Sequence, residues 1–463
     1  MDSKTCKQNL RSSHIKIMKE IGNVADQLGE QCFAVGGLVR DCLTNRTSDD
    51  LDIVCTDIDE LTNVLAKREH IKKITDQHGI TKETFRTNIL MFENEKIDLV
   101  EPRKEIYSQD SIKPLVQKGT LEEDALRRDF TINTLRLGMG KNDFLKIYDP
   151  TGKGFADLRD KRLRTPRDPK KTFEEDSSRM IRAIRFSSCH NLSIDPEVMD
   201  TIQEMASEIH RVPPELLHKE IKKGAKCKNY YRTMYRSKLL HELFPEVTDL
   251  EGIPQRKTYH TEDALEHTLR FIEFIPRDSI FKTAGLLHDI GKSSVTDKEG
   301  HAYGHEKISA KMVKPIGKRL RFSGAEIDRM EELVKNHMRL HQVNDKFSEK
   351  GLRKFVKDYH HILPELKIMA RADILSDHPQ PTKALQELDA QYIRILETQE
   401  KMRELIENEF KLEIDGHDIK KRGWVGREIG EIKEHITDQV VKNELPNKRD
   451  VLLQHLDILK RKK

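Results

Sequence analysis

An α+β chain, with a small mixed-sheet head followed by an all-helical body, is the fold class that this sequence predicts. Three observations carry it. The first ~100 residues alternate short apolar runs rich in Val and Ile with stretches of helical apolar spacing. After residue 170 the strand signals fade and helical patterns run to the end. At 463 residues the chain also exceeds the size at which one core keeps growing, so several domains are expected.

In chain order, Cys32–Val39 and Leu51–Cys55 read as buried strands, and Asp57–Arg68 as a helix with acidic residues in its first turn. Ile89–Phe92 and Ile97–Val100 flank the polar Glu93-Asn94-Glu95-Lys96 and read as a hairpin. Pro213-Pro214, Gly252-Ile253-Pro254 and His378-Pro379-Gln380-Pro381 mark breaks in the helical part. Charged residues make up 35% of the chain, and no run approaches the ~20 apolar residues of a membrane span. Met1–His14 lacks the apolar core of a signal peptide, so a cytoplasmic protein with no membrane partner is expected. Six cysteines without a CxxC pair read as reduced thiols rather than a zinc site or a disulfide framework.

The net charge of +4 hides an asymmetry. Arg211–Lys238 holds nine Lys/Arg against two Glu, with Tyr230, Tyr231 and Tyr235 inside it, and Asp157–Lys171 holds seven positive against three negative residues. Basic stretches with interleaved aromatics suit a phosphate backbone and stacked bases, while a solvated helix face is the plainer reading.

The residues that carry chemistry come in order. Gly36-Gly37 end a predicted strand ahead of Arg40, where glycines let backbone approach an anion. Asp50 and Asp52 fall on one face of the next strand, a pair of like charges that a hard divalent cation would relieve. Asp98 is a candidate third carboxylate. Arg127-Arg128-Asp129-Phe130-Thr131-Ile132-Asn133 sets guanidiniums, a carboxylate and an amide within two helical turns, suited to phosphate and ribose. Glu175-Asp176-Ser177-Ser178-Arg179-Met180-Ile181-Arg182 is expected to open a helix with Asp176 and Arg179 on one face.

Taken together, these motifs and Tyr148-Asp149-Pro150 resemble the bacterial tRNA CCA-adding enzymes, class II nucleotidyltransferases of the polymerase-β superfamily, over residues 31 to 245. Bacterial poly(A) polymerases share most of the motifs. Position 49 departs from the pattern, being Asp where the family often has a basic residue. The resemblance implies a nucleotidyltransferase head with Asp50, Asp52 and Asp98 catalytic and Mg²⁺ held by Asp50 and Asp52. It implies that Gly36, Gly37 and Arg40 cradle the triphosphate, that Arg128, Asp129, Asn133 and Arg182 bind the incoming CTP or ATP, and that Asp176 and Arg179 read its base. Arg103–Asp124 resembles the family's flexible loop.

Further on, His288-Asp289 stands among His267, His305, His337 and Asp373, an ordered set that resembles the HD metal-dependent phosphohydrolases. There the resemblance implies one ion on His267, His288, Asp289 and Asp373, and a second supported by His305 and His337, with a divalent transition metal suited to the ligands. The expected domains are the nucleotidyltransferase head (1–165), a helical nucleotide-selecting and RNA-binding region (166–255), the HD domain (256–378) and a helical RNA-binding tail (379–463), with tRNA as partner. A poly(A) polymerase, and an HD hydrolase with an idle RNA-binding head, are the competing readings.

Overall fold

The computed structural model describes residues 3–74, 87–106, 115–255, 263–297, 301–344, 346–377, 381–407, 412–441 and 444–461. The chain divides into two units, Met1–Thr248 with Arg319–Phe322, and Asp249–Lys318 with Ser323–Lys463.

The first unit is built on strands β1 (Cys32–Val35), β2 (Leu51–Cys55), β3 (Ile71–Ile74), β4 (Thr87–Phe92), β5 (Glu95–Val100), β6 (Arg103–Ile106), β7 (Leu115–Lys118), β8 (Arg136–Gly138) and β9 (Ile147–Tyr148). Seven of them form one mixed sheet in the order β3-β4-β5-β2-β1-β8-β9, in which only β2 and β5 run parallel. Period-2 alternation in β2 buries Leu51 and Ile53 and leaves Asp52 outside. Register does the rest: Val35 faces Asp52, and Asp52 faces Asp98. Cross-strand partners share a face, so both carboxylates project from the same side of the sheet.

Helices α1 (Ser3–Asn9), α2 (Ser12–Leu28), α3 (Gly37–Leu43), α4 (Ile58–Leu65), α5 (Leu121–Leu126) and α6 (Gly154–Arg159) accompany the sheet. The strand expected over Cys32–Val39 stops at Val35, because Gly36 turns the chain at φ 72° and α3 begins at Gly37. Asp57 caps α4 as its acidic first turn predicts, accepting from the amide of Asp59 at 3.0 Å. The helical part of this unit runs through α7 (Pro169–Glu175), α8 (Ser178–His190), α9 (Pro196–Glu204), α10 (Pro214–Ala225), α11 (Tyr230–Arg236), α12 (Leu239–Leu243) and α13 (Pro245–Thr248).

The second unit holds α14 (Ala264–Phe271), α15 (Ser279–Leu287), α16 (Lys292–Val295), α17 (His305–Arg319), α18 (Gly324–Asn336), α19 (Glu349–Tyr359), α20 (Leu363–Asp377), α21 (Thr382–Glu407), α22 (Gly416–Lys421), α23 (Arg427–Val441) and α24 (Arg449–Arg461). The mixed-sheet head and helical body are therefore as the sequence pattern predicts. Among the described residues no helix is long and apolar enough to cross a membrane.

Two expectations are corrected. Tyr230 and Tyr231 are buried at 1% and 2% exposure, packed edge-on to each other, and so hold the core of the first unit instead of offering faces to bases. Gly224 makes their place, since a Cβ there would fall within 2.2 Å of the Tyr230 ring. The cysteines also differ: Cys6 is joined to Cys42 and Cys189 to Cys227, while Cys32 and Cys55, strand partners in β1 and β2, are free thiols. Separations of 36 and 38 residues hide such pairs from any reading of local spacing. The expected break over 378–380 and the middle of the Arg103–Asp124 loop, residues 107–114, lie outside the described residues.

Candidate functional site

A cavity of about 870 Å³ in the first unit gathers Gly36, Gly37, Arg40, Asp50, Asp52, Arg128, Asp129, Asn133, Asp176, Arg179 and Arg182. Of the transferase residues expected from sequence, Asp98 alone is outside this lining, on an adjoining cavity of about 380 Å³ that also touches Asp52 and Arg128. Asp98 is partly answered by Lys96, 3.0 Å away. Desolvation first, and then the Asp98 charge, push the Asp52 carboxyl above its usual range. A carboxylate disfavoured in that way, with another exposed carboxylate two residues off, is the donor set a hard cation needs. Gly36 stands beside Asp52 at φ 72°, a backbone region that favours glycine. The extra charge of Asp49 is met by an ion pair with Arg11.

The Arg127–Asn133 segment does not lie within two helical turns. Helix α5 ends at Leu126, and Thr131–Asn133 form a separate 3₁₀ turn. Asp124, absent from the sequence reading, organises the segment: its Oδ1 accepts from Arg127 Nη2 at 2.6 Å and its Oδ2 from Arg128 Nη2 at 2.9 Å. Burial works to raise the Asp124 pKa, but the Arg128 and Arg127 charges outweigh it and hold the carboxyl below its usual range. That ion pairing therefore stabilises the fold above the unfolded carboxyl pKa and is lost as pH falls through the folded one. Asp124→Asn should destabilise the protein by about 3 kcal/mol, since Arg128 loses its carboxylate partner and Arg127 is left with Glu105 alone. Thermal melts of the two proteins from pH 7 to pH 3 should converge as the wild type loses this contribution.

Asp129 is also committed to protein partners. Its Oδ1 accepts from the Phe130 amide and from Asn133 Nδ2, both at 2.8 Å, and its Oδ2 from Arg182 Nε at 3.1 Å and Nη2 at 2.5 Å. In this geometry Asp129 orients Arg182 and Asn133, and Asn133 Oδ1 in turn accepts from Arg40 Nη1 at 2.9 Å.

Asp176 and Arg179 do not share a helix face. Asp176 sits in the break between α7 and α8, its Oδ1 taking the Ser178 amide at 2.9 Å. Arg179 Nη2 and Nη1 donate to the carbonyls of Arg127 at 2.7 Å and Thr172 at 3.2 Å, leaving Nε 3.9 Å from Asp176 Oδ2. The two still line one wall, with the guanidinium fixed by backbone.

The second unit brings the HD residues together. His288 follows the end of α15, where the doublet can turn both side chains inward, and His337 follows the end of α18. His305 opens α17, while His267 and Asp373 come from α14 and α20. Ring Nδ1 of His288, His305 and His337 each lies 2.7 Å from a carbonyl three residues earlier, which turns each Nε2 toward the centre. His305 Nε2 reaches Asp289 Oδ1 at 3.0 Å and His337 Nε2 at 3.2 Å. His267 Nε2 lies 3.4 Å from Asp373 Oδ1.

Two sets have ligand atoms within 4.8 Å of one another: His267, His288 and Asp373, and His288, Asp289 and His337. Buried His288 Nε2 lies 3.2 Å from Asp289 Oδ2. Inward imidazole nitrogens set beside carboxylates are the donor set that a divalent transition metal takes. Gly291 permits the arrangement, as a Cβ there would lie 2.6 Å from the His305 carbonyl. Sequence reading missed Asp377, ion-paired with His267 Nδ1, His341, 3.1 Å from Asp373, and Lys292, 2.7 Å from Asp289. Asp377 and His341 each stand four residues after a predicted ligand, a spacing that was available as a signal.

Three family models match parts of the chain. Residues 32–164 match the poly A polymerase head domain, residues 191–250 a probable RNA- and SrmB-binding site of polymerase A, and residues 259–377 the HD domain. The chain thus matches a poly A polymerase head-domain model followed by an HD-domain model. Its resemblance to the CCA-adding enzymes is borne out by curated relatives. A tRNA nucleotidyltransferase of Schizosaccharomyces pombe is 34% identical over 255 residues, 50% of each chain. A multifunctional CCA protein of Acinetobacter baumannii is 33% identical over 238 residues, 48% of this chain and 56% of that one. The matched part thus spans about half the length of these relatives. Among solved structures, the Thermotoga maritima CCA-adding enzyme complexed with tRNA has a TM-score of 0.60 at 19% identity, covering 100% of this chain and 98% of that one. The Bacillus stearothermophilus enzyme in complex with CTP has a TM-score of 0.61 at 17% identity, covering 98% and 99%. At that identity the likeness establishes the fold.

Proposed function

We propose that this chain is a template-independent tRNA nucleotidyltransferase of the cytoplasm, adding C, C and A to the 3′ end of tRNA from CTP and ATP and releasing pyrophosphate. A metal-dependent phosphohydrolase resides in its HD domain. Residues 1–165 form the catalytic head, 166–255 select the nucleotide and bind RNA, 256–378 are the HD domain, and 379–463 help to hold RNA. The observation that carries the reading is the cavity that sets Asp50 and Asp52 among Arg40, Arg128, Arg179 and Arg182, with strand register placing Asp98 beside Asp52 on the adjoining cavity. Mg²⁺ held by Asp50 and Asp52 would activate the 3′-hydroxyl and steady the leaving pyrophosphate. Arg40, Arg128 and Arg182, each braced by a carboxylate, offer guanidinium forks to the triphosphate. The HD ligands, His267, His288, Asp289 and Asp373 with His305 and His337, suit a divalent transition metal that would activate water for phosphoester hydrolysis.

Incubation with tRNA lacking its CCA end, and with each labelled nucleotide singly and mixed, tests the reading. Extension limited to CCA supports it, whereas long adenylate runs favour a poly(A) polymerase.

Base choice gives a sharper test. Asp176 Oδ2 can accept from the exocyclic amine of cytosine or adenine, and Arg179 can donate to the acceptor beside it. Uracil and guanine place a carbonyl against the carboxylate, leaving two acceptors facing each other. Asp176→Ala should therefore lower discrimination against UTP and GTP by roughly one to two decades, the worth of one such hydrogen bond. Single-nucleotide incorporation with all four nucleotides measures this. Unchanged ratios would show that Asp176 does not read the base.

A further inference from the structure

We infer that Phe186 is a positioning residue for the triphosphate, its ring setting three arginines of the transferase cavity at once. The inference rests on the nucleotide-transfer reading above and concerns how the anion is held. Guanidinium carbons of Arg185, Arg40 and Arg182 lie 4.4, 5.0 and 5.6 Å from the centre of this one ring. Energetically significant cation–π contacts occur roughly once per 70–80 residues, so three on a single ring is an unusual concentration. Phe186 is 5% exposed and lines the cavity together with all three arginines. The ring is itself held, edge-on to Phe130 at 5.5 Å and stacked with His190 at 5.6 Å.

Each arginine also has a carboxylate. Arg40 pairs with Asp41, Arg182 with Asp129, and Arg185 Nε lies 2.5 Å from buried Glu220. Those pairs offset the mutual repulsion of three cations, but each consumes N–H donors. An aromatic face attracts a guanidinium without taking a donor, so the remaining N–H groups stay available for phosphate oxygens. His190 supports the same arrangement as a neutral ring. Desolvation first, and then the charges of Arg40, Arg46 and Arg185, lower its pKa to about 3, and its Nδ1 accepts from Arg46 at 2.8 Å. A fourth cation is thereby kept away from the cluster.

The test compares wild type, Phe186→Leu and Phe186→Tyr in two assays, calorimetric binding of inorganic tripolyphosphate and steady-state nucleotide addition. For Phe186→Leu the tripolyphosphate Kd and the KM of both CTP and ATP should rise about tenfold, with kcat within about threefold and the CTP-to-ATP ratio unchanged. Phe186→Tyr, which keeps the aromatic face, should restore both constants. Melting curves establish that each variant folds, and Phe186→Met replaces the leucine variant if that one does not. Wild-type tripolyphosphate affinity in the leucine or methionine variant would overturn the inference, as would equal weakness of a folded tyrosine variant. A wild-type protein that fails to bind tripolyphosphate would overturn it too. If ring-dependent tripolyphosphate binding persists in a protein that adds no nucleotide, the transfer reading fails while the anion clamp stands.

Discussion

Asp50→Ala and Asp52→Ala should each lower CCA addition by at least about a thousandfold, the loss expected when several kcal/mol of metal-borne charge stabilisation disappears. Folding should be spared. Both carboxylates are exposed, and removing Asp52 relieves its repulsion with Asp98 and Asp50 instead of stranding a partner. Phosphoesterase activity should be spared as well, since the HD ligands all lie in the other unit. The measurement is single-turnover addition of CMP to tRNA lacking its end, read beside a thermal melt. Near-normal addition by either variant would sink the assignment of these residues to a metal site, and a collapsed melt would mark the loss as structural.

What could be read of this site before its structure depended on the range of the information. The outward aim of Asp52 follows from the period of β2, a property of neighbouring residues, whereas Asp50 stands just before the strand and joins it only in the cavity wall. The approach of Asp98 follows from the register of β2 against β5, which lie more than forty residues apart, so sequence could offer it only as a candidate. The run Glu174-Glu175-Asp176-Ser177-Ser178 contains no glycine or proline to announce a break, yet α7 ends there. Asp and Ser compete with the helix through local hydrogen bonds, and Asp176 does so by taking the Ser178 amide. Glu220, which holds Arg185 from α10, gave no local signal because its partner is on another helix. Tyr230 and Tyr231 misled for a related reason, since an aromatic in a basic stretch serves a core or a base equally well until the space left by Gly224 is known. In the HD-like part the candidate ligands were legible because His267, His288-Asp289, His305, His337 and Asp373 follow an order that resembles the HD phosphohydrolases. Their inward aim, set by backbone carbonyls behind His288, His305 and His337 and by Asp377 behind His267, was not legible.

In that domain His288→Ala should abolish metal-dependent hydrolysis of phosphoesters such as 2′,3′-cyclic phosphates, with bound metal falling in parallel and CCA addition unchanged. His288 belongs to both ligand sets, so its loss removes a donor from each prospective ion. Asp289→Ala should have the same catalytic outcome at a larger cost in stability. It removes a buried carboxylate 2.7 Å from half-buried Lys292 and 3.0 Å from buried His305, and breaking such a pair on one side typically costs about 3–5 kcal/mol. Comparing the two variants thus separates metal loss from unfolding: hydrolysis should vanish in both, while the melting temperature should fall chiefly in Asp289→Ala. Metal content by elemental analysis, hydrolysis with Mg²⁺, Mn²⁺, Ni²⁺ or Co²⁺, and nucleotide addition are the three readouts. If wild-type protein binds none of these ions and hydrolyses no such ester, the inward histidines form a helical scaffold held by their own hydrogen bonds, and the hydrolase half of the proposal falls.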